Sequence, residues 1–334
     1  MTGAQRRADL AARLRQAAGE LGTMAAVDIA LAPMTTYRVG GRAAVLASPR
    51  SLDDLLRVGA VVARLDVPVA VIGRGSNLLV ADEGFCGIVV TLADMAGECD
   101  LIEIGEPVAG CADVRAGAAV ALPVLARRTV AAGLLGFEWA VGVPGSVGGA
   151  VRMNAGGHGS DMSSSLRSAL IVDLRRGVTA EVPSARLGLR FRGSDLADHQ
   201  VVVAATLRLA HDPATAGSEG EAALAEIVRW RREHQPGGQN AGSVFVNPRP
   251  GELAAAQLVD GCGLRGRRVG GAQVSDKHAN FIQASESATA ADVRALMELV
   301  RGEVHARTGH LLRSEIRLLG FDDLPDESHA GVEL

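Results

Sequence analysis

The chain of 334 residues carries a formal net charge of −4, with 48% hydrophobic and 22% charged residues. This length predicts two or three domains, and this composition is typical of a globular protein with a sizeable buried core. The mildly acidic charge, without any basic stripe, argues against a protein that binds nucleic acid.

The N-terminal segment, residues 1–20, is predicted to be a helix. Charged side chains occur throughout it, and the apolar core of a signal peptide is missing. No apolar run free of charges reaches the length that spans a membrane. We therefore expect a cytoplasmic protein that does not insert into membranes. The cysteines show neither metal-ligand pairs nor the spacing of a disulfide framework, so we expect reduced residues and no metal site: Cys86, Cys99, Cys111 and Cys262.

The next segments predict a strand, a helix and a second strand. Residues 43–47 are apolar and predict the first strand, and residues 68–72 predict a buried one. Between them, residues 51–54 resemble a capping box, and the helix that follows should end near Leu65. Its apolar face comprises Leu55, Leu56, Ala60 and Val61.

The second strand leads into a short turn with two glycines, Gly73-Arg74-Gly75-Ser76-Asn77. The third glycine of the dinucleotide-binding fingerprint is missing, and the continuation at residues 78–80 is apolar rather than helical. We therefore expect a hairpin-like turn. Its hydroxyl, amide and N–H groups either bind a pyrophosphate or form a plain turn.

A longer glycine-rich stretch occupies residues 138–159, after predicted strands at 88–92 and 113–116 and a predicted helix at 121–132. Because glycine lets a ligand lie directly on the main chain, residues 143–149 predict a cradle for a large phosphorylated ligand. A tight-turn region is the alternative. The side-chain amide of Asn154 is available to bond ring edges or phosphate.

The following segments bring a strand, an arginine pair and a linker. Residues 171–173 predict a strand. Arg190 and Arg192 stand two apart, which on an extended segment places both on one side, suitable for a carboxylate or phosphate or simply for solvent. Residues 211–218 have the composition of a linker and mark a domain boundary, and residues 221–233 predict a helix.

A second glycine-rich loop, residues 235–248, contains Ser243. Nothing nearby in the sequence supplies a base, so from local pattern alone Ser243 is a turn residue. A short helix is predicted at 253–259, and a longer one begins at Thr289 with Asp292 and ends at Gly309. Residues 311–319 predict a last strand, with Arg313, Glu315 and Arg317 on one face and Ser314, Ile316 and Leu318 on the other.

Seven of these motifs, in this order, resemble the UDP-N-acetylenolpyruvoylglucosamine reductase family, also called UDP-N-acetylmuramate dehydrogenase, over roughly residues 22–320. They are residues 36–41 (TYRVGG), 73–78 (GRGSNL), 142–150 (GVPGSVGGA), 192–194 (RGS), 241–248 (AGSVFVNP), 277–281 (KHANF) and 315–317 (EIR).

The resemblance implies an α+β protein with a two-part FAD-binding domain of the vanillyl-alcohol-oxidase type and an α+β substrate-binding domain. The implied bounds are 22–92 and 93–212 for the two FAD-binding parts and 219–320 for the substrate-binding domain. The implied reaction uses NADPH to reduce the enolpyruvyl ether of UDP-N-acetylglucosamine to UDP-N-acetylmuramate, a precursor of peptidoglycan. UDP-N-acetylglucosamine enolpyruvate and NADPH are thus the implied partners.

The resemblance also implies roles for single residues. FAD would contact Gly73, Arg74, Gly75, Ser76, Asn77, Leu78, Val143, Pro144, Gly145, Ser146, Gly148, Gly149 and Asn154. Ser243 would be the general acid, with Arg192 and Glu315 at the substrate carboxylate. The UDP-sugar would lie near Asn247, Arg265, His278 and Arg317.

Some positions depart from the family's pattern, in which lysine is common at Val246 and Arg265, a further acid at Arg313, and Ala-Tyr at Gly157-His158. Arginine and lysine hold phosphate differently, so phosphate contacts should differ from those of relatives. The interval from Arg192 to Ser243 is short, and in this the chain resembles the branch of the family that lacks an extra loop over the substrate.

Two other functions remain open from the sequence. A related FAD-dependent oxidoreductase with another substrate is one, although it gives Ser243, Arg192 and Glu315 no joint purpose. A flavin-binding module without turnover is the other, and turnover of NADPH with the UDP-sugar would exclude it.

Overall fold

The computed structural model describes residues 2–248, 253–321 and 331–334. Its first part contains α1 (Gly3–Leu21), β1 (Ala25–Ala30), β2 (Arg42–Ala47), α2 (Leu52–Leu65), β3 (Val69–Val71), β4 (Leu78–Val80) and β5 (Phe85–Val90). A four-stranded sheet has the order β1-β2-β5-β3, with β5 parallel to both of its neighbours.

The helices and strands predicted in this first part are confirmed, except for part of the apolar face of α2. The Ser51 hydroxyl accepts a hydrogen bond from the Asp54 N–H at 3.1 Å and caps the helix. The predicted capping box is only half formed, because the Asp54 carboxylate accepts from the Arg50 N–H rather than from the Ser51 N–H. Ala60 is exposed, because the buried face of α2 instead passes through Val58 and Val62.

The second part is built on a larger antiparallel sheet. It contains β6 (Ile102–Ile104), β7 (Cys111–Gly117), α3 (Leu122–Ala131), β8 (Leu134–Leu135), α4 (Val147–Met153), β9 (Gly156–Gly157), β10 (Ser160–Asp161), β11 (Leu166–Asp173), β12 (Val178–Pro183) and β13 (Gln200–His211). The sheet order is β12-β11-β13-β7-β6, with β8 also on β13. Buried side chains of α2, α3, β7 and β13 belong to one hydrophobic cluster, so the first two parts share a core.

The segment predicted as a linker at 211–218 is instead the end of β13 followed by helical turns from Pro213 onward. Asp212 accepts hydrogen bonds from the N–H groups of Ala214 and Thr215 and caps α5 (Pro213–Thr215), and a π-helical turn (Ala216–Gly220) continues into α6 (Glu221–His234). Ile227 of α6 is buried in the core shared by the first two parts. The proposed domain bounds at 22–92, 93–212 and 219–320 stay predictions.

The C-terminal part contains α7 (Ala255–Gly261), β14 (Arg268–Val269), β15 (Ala272–Val274), β16 (Ile282–Ala284), α8 (Ala290–Thr308) and β17 (Arg317–Leu319). The predicted helix ends are confirmed: Thr289 and Asp292 form a capping box, and Gly309 closes α8 in the left-handed conformation. A second hydrophobic cluster joins this part to Tyr37 and Leu79 of the first.

Two strand predictions are wrong in their pairing. The turn after β3 is not a hairpin, because β3 pairs with β5 whereas β4 pairs in parallel with β17. The predicted strand at 311–319 is regular only as β17. Its earlier residues bond to the Ser243 loop instead, since the Glu315 N–H donates to Val244 O and Arg313 O accepts from the Val246 N–H. Because β17 pairs with β4, both segments, 243–246 and 313–319, lie next to the first part of the chain.

Among the described helices, none has both the length and the apolar character needed to cross a membrane. All four cysteines are free thiols, with Cys99 and Cys262 buried. Within the described ranges, no cluster of three or more His, Cys, Asp or Glu side chains is placed to hold a metal ion.

Candidate active site

A cavity of about 1120 Å³ lies where the three parts meet. Ligand sites in proteins commonly measure roughly 300–1,000 Å³, so this volume suits a large cofactor together with a second ligand. The cavity is lined by residues of the glycine-containing segments 73–77 and 143–149. All three predicted catalytic residues, Arg192, Ser243 and Glu315, also line it.

One wall of the cavity, here called the glycine wall, consists of residues 73–77 and 143–149. The two loops face each other: Arg74 Nε donates to Pro144 O at 3.3 Å, and a Cβ on Gly73 would lie 2.8 Å from Ser146 Oγ. Gly75 has φ +59°, and a Cβ there would lie 2.1 Å from Met34 O. Only glycine fits at Gly75, because any side chain would strain the backbone at this positive φ and would also overlap the Met34 carbonyl oxygen.

The glycine wall presents donors rather than acceptors. Within the described part of the chain, the N–H groups of Arg74, Gly75 and Ser76 donate to no backbone carbonyl. Successive free N–H groups in a tight turn form a concavity for an anion. The residues present therefore fit the pyrophosphate of a dinucleotide such as FAD.

The charge of the cavity also favours phosphorylated ligands. Its described lining includes three carboxylates, Asp100, Asp198 and Glu315, and five arginines, Arg74, Arg152, Arg192, Arg231 and Arg317. Although the whole chain has a net charge of −4, this site has an excess of two positive charges. Such an excess concentrates anionic ligands locally.

The opposite wall, here called the side-chain wall, consists of Arg192, Ser243 and Glu315. Arg192 Nε lies 2.9 Å from Glu315 Oε1, and both side chains are about four-fifths buried, with 21% and 18% of their surface exposed. The Nε–H is not aligned for a hydrogen bond, so the contact is an ion pair by distance. Arg192 Nη2 also donates to Gly156 O at 2.9 Å, which fixes its guanidinium.

The prediction that Arg190 and Arg192 extend side by side is wrong. Arg192 has φ +58°, and Arg190 and Gly193 exchange backbone hydrogen bonds across a tight turn. Arg190 consequently pairs with Asp195, whereas Arg192 reaches Glu315. The turn separates the two side chains that an extended strand would keep together.

Burial governs the protonation of Glu315. Loss of solvent raises its pKa above the ordinary glutamate value, although the Arg192 guanidinium, and to a smaller extent Arg313, favour the charged form. A carboxyl group in this setting takes up a proton more readily than one in water. It can therefore act as a hydrogen-bond donor near another carboxylate.

Ser243 is positioned by the backbone of its loop and by Asn280. The buried Asn280 side chain accepts from the Phe245 N–H at 2.9 Å and donates to Phe245 O at 2.8 Å. The adjacent Val244 carbonyl accepts from the Glu315 N–H at 2.8 Å, so Ser243 and Glu315 stand on paired segments. No described residue hydrogen-bonds to Ser243 Oγ, so its hydroxyl proton is available to a ligand.

A second ion cluster connects the parts. Asp198 pairs with both Arg152 and Arg317, the latter at 3.0 Å, so one carboxylate is shared by two guanidinium groups. Burial lowers the pKa of Arg152 to about 10, with Asp198 opposing and Arg317 reinforcing the shift. Arg317, predicted to bind the substrate, thus lies on the cavity wall with part of its charge uncompensated.

Four predicted binding residues do not line this cavity. Asn154 is buried, and its amide bonds Asp161 and the carbonyl of Arg190. Asn247 accepts from the Ala255 N–H, and Arg265 pairs with Asp260 at 2.5 Å. His278 lies against Phe281, which itself reaches the cavity. Among these residues, Asn154 orders the loop that carries Arg192 rather than facing the cavity.

Sequence reasoning assigned no role to Asn280, which supports the loop of Ser243, or to Arg231, which lines the cavity. Asn280 belonged to the KHANF motif but received no role, and its signal in the sequence was an amide between the apolar residues Ala279 and Phe281. Arg231 lay in the helix predicted at residues 221–233 and received no role. Nothing in its local pattern indicated that this face of α6 closes over residue 142.

Comparison with known proteins agrees with this arrangement. Residues 43–182 match the family model of an FAD-binding domain, and residues 234–319 match that of the UDP-N-acetylenolpyruvoylglucosamine reductase C-terminal domain. These matches, with the mixed helices and sheets, confirm the predicted α+β class with an FAD-binding domain.

Relatives match over nearly their whole length. UDP-N-acetylenolpyruvoylglucosamine reductase of Parasynechococcus marenigrum (strain WH8102) is 40% identical over 299 residues, covering 89% of this chain and 96% of the relative. The enzyme of Gloeobacter violaceus is 42% identical over 296 residues, covering 87% and 95%. The crystal structure of UDP-N-acetylenolpyruvylglucosamine reductase from Thermus caldophilus superposes with a TM-score of 0.73 at 33% identity, covering 87% of this chain and 97% of that one. With this coverage and a glycine wall fitted to a dinucleotide, the chain belongs to the UDP-N-acetylenolpyruvoylglucosamine reductase family of flavoprotein oxidoreductases.

Proposed function

We propose that this chain is a cytoplasmic enzyme that uses NADPH to reduce the enolpyruvyl ether of UDP-N-acetylglucosamine, giving UDP-N-acetylmuramate for peptidoglycan synthesis. The observation that carries the proposal is the side-chain wall: a buried Arg192–Glu315 ion pair beside a serine without a hydrogen-bond partner in the described chain. A substrate with a carboxylate next to a reducible double bond uses all three groups.

The glycine wall would hold FAD through the free N–H groups of residues 74–76, with Asn77 and Ser146 beside them. Bound FAD would supply the hydride chemistry, taking hydride from NADPH and passing it to the terminal carbon of the enolpyruvyl group. The protein then has to bind, orient and exclude water.

Arg192 and Glu315 would stabilise the negative charge that builds on the substrate carboxyl group. Donors aimed at developing charge act strongly where water is excluded, and these side chains are about four-fifths buried. The raised pKa of Glu315 supports a role as a protonated hydrogen-bond donor to the carboxylate once Arg192 turns to the substrate.

Ser243 Oγ would donate its proton to the carbon next to the carboxyl group, completing the addition of one hydride and one proton across the double bond. An enolate-like carbon is a strong base, so a hydroxyl suffices as the acid without an activating histidine. Arg317 would contact the UDP-sugar from the cavity wall. Roles for Asn247, Arg265 and His278 require the UDP group to extend past this cavity.

The proposal is tested with the purified protein in two steps. It should be yellow and release FAD rather than FMN on denaturation. It should then oxidise NADPH over many turnovers only when the enolpyruvyl UDP-sugar is present, with parallel initial-rate lines because one cavity serves the two ligands in turn. A colourless protein that FAD cannot reconstitute would contradict the cofactor assignment. Flavin-dependent oxidation of NADPH without UDP-N-acetylmuramate as product would indicate a related oxidoreductase with another substrate.

A further inference from the structure

Asn77, the last residue of the first loop of the glycine wall, is bonded to the segment that carries Glu315. Its side-chain amide nitrogen donates to Glu315 O at 2.9 Å, although the two residues are 238 positions apart in the sequence. Its carbonyl oxygen accepts from the Arg317 N–H at 3.1 Å. All three residues line the cavity. The two walls of the cavity are therefore joined at Asn77.

These two bonds continue the parallel pairing of β4 with β17 beyond the strands themselves. Within the strands, residues 78–80 pair with residues 317–319. Past the end of this ladder, the side-chain amide of Asn77 supplies the donor for Glu315 O. An amide side chain can replace a backbone N–H in this way, because it carries the same kind of donor. The loop at residues 73–77 is thus held in register with Glu315.

The backbone of Glu315 is held on both sides. Its N–H donates to Val244 O at 2.8 Å, and its carbonyl oxygen accepts from Asn77. Because each peptide group is planar, fixing the groups before and after a residue fixes the direction in which its side chain leaves the backbone. From this backbone, the Glu315 carboxylate reaches Arg192 Nε at 2.9 Å. The amide of Asn77 therefore acts on the geometry of the ion pair.

The position of Glu315 matters for the proposed reaction, in which negative charge builds on the substrate carboxyl group. Donors stabilise such charge best when they are already in place, and a displacement of about 1 Å can lower a rate by roughly 10²-fold. The family resemblance implied a contact between Asn77 and FAD. The free N–H groups of residues 74–76 already offer a phosphate site without the amide of Asn77.

We propose that Asn77 is a positioning residue for Glu315. Its side-chain amide holds Glu315 at a fixed place relative to the loop that would bind FAD, so it affects reduction of the UDP-sugar rather than retention of FAD. The side chain of Asn77 thus belongs to the side-chain wall, although its backbone belongs to the glycine wall. The effect on the reaction rests on the proposed function, whereas the link to Glu315 does not.

The test compares Asn77→Ala with the wild type by stopped-flow absorbance and amide hydrogen exchange, both on the FAD-loaded protein. FAD content and reduction of the flavin by NADPH should stay at the wild-type level, because neither uses the carboxyl group of Glu315. Reduction of the UDP-sugar should fall by about 10- to 100-fold. Exchange in residues 311–320 should become about 5- to 100-fold faster, because the part-buried carbonyl of Glu315 loses its donor.

Further variants separate the hydrogen bond from the shape of the side chain. Asn77→Leu has about the same shape without an amide and should match Asn77→Ala. Asn77→Gln keeps the donor on a longer stem and should recover part of the rate and of the exchange protection. Gln283→Ala is the matched control, because its amide also donates to a carbonyl at 2.9 Å, but in an exposed bond and away from the cavity lining. It should leave both measurements at the wild-type level.

Three results would overturn the proposal. They are loss of FAD from Asn77→Ala with unchanged exchange in residues 311–320, a rate in Asn77→Leu within two-fold of the wild type, and an equal fall in both half-reactions. The last would show that Asn77 supports the fold as a whole. Because hydrogen exchange needs no turnover, faster exchange confined to residues 311–320 would support the link to Glu315 even if the enolpyruvyl UDP-sugar were not reduced.

Discussion

The two walls of the cavity are built by opposite means. The glycine wall comes from two short continuous stretches, and its shape depends on missing side chains, as the contacts at Gly73 and Gly75 show. The side-chain wall comes from positions 192, 243 and 315, which only the packing of both hydrophobic clusters brings together. The comparison teaches that a binding surface can be local in sequence while the chemistry beside it is not. A variant in one wall should therefore affect a different property from a variant in the other.

A large separation between rate and FAD content is expected from Arg192→Gln. Removing a charged donor from a water-excluded site typically lowers the rate by about 10²–10³-fold, so reduction of the UDP-sugar should fall by that factor. FAD content, read from the flavin absorbance, should stay at the wild-type level. Arg190→Gln is the control, since Arg190 does not line the cavity and pairs with Asp195. Equal losses of rate in both variants would show that the turn, rather than the guanidinium in the cavity, matters.

The glycine wall is tested by comparing Gly75→Ala with Gly97→Ala. Both glycines have positive φ, +59° and +82°, but a Cβ at residue 97 meets nothing within 4 Å. Gly97→Ala should cost about 1–2 kcal/mol of folding free energy from backbone strain alone. Gly75→Ala should cost about 1–3 kcal/mol more through overlap with Met34, and it should also release FAD. Thermal denaturation and flavin content measure the two effects, and equal behaviour of the variants would contradict the cradle.

The support of the side-chain wall is tested by Asn280→Ala. This change leaves the Phe245 N–H and carbonyl without their partner, and each buried unsatisfied group costs about 1–3 kcal/mol. We expect lower stability and a slower reduction of the UDP-sugar, with the KM for NADPH unchanged. Gln283→Ala is the control, because its amide donates to Gly237 O at 2.9 Å but is exposed to solvent. If Asn280→Ala lowers stability without slowing catalysis, Asn280 does not position Ser243.

The smallest effect concerns pH and Glu315. Burial raises its folded-state pKa, so its stabilising contribution is complete below the ordinary pKa of about 4.3 and is lost as pH rises through the folded value. The melting temperature of the wild type relative to Glu315→Gln should therefore decrease from acidic to neutral pH. A difference that grows with pH would mean that the Arg192 ion pair dominates and that the folded pKa is depressed.

The sequence anticipated local features better than their assembly. The capped helices α2 and α8 and both glycine-rich loops follow from short patterns, because caps and turns are set by neighbouring residues. The parallel pairing of β4 with β17 joins residues that are far apart in the chain, so no local pattern could indicate it. The left-handed turn at Arg192 was missed for another reason, since an arginine rarely adopts positive φ.

The candidate site shows the same division. The side-chain wall was proposed only through the family resemblance, because Ser243 has no base beside it in the sequence. The cavity places Arg192, Ser243 and Glu315 together, as that resemblance implied, but leaves Asn247, Arg265 and His278 outside. Neither kind of reasoning placed Arg231 in the cavity, because its position there depends on how α6 packs over Gly142.

The most direct test of the account measures the two half-reactions separately in Ser243→Ala by stopped-flow absorbance. Reduction of the bound flavin by NADPH needs no proton from Ser243 and should stay within a few-fold of wild type. Reduction of the UDP-sugar should fall by about 10²–10⁴-fold, the usual contribution of a general acid, and Ser243→Cys should retain part of it because a thiol keeps a transferable proton. Reduction of the UDP-sugar within a few-fold of wild type, or an equal fall in both half-reactions, would contradict the assignment of Ser243 as the acid.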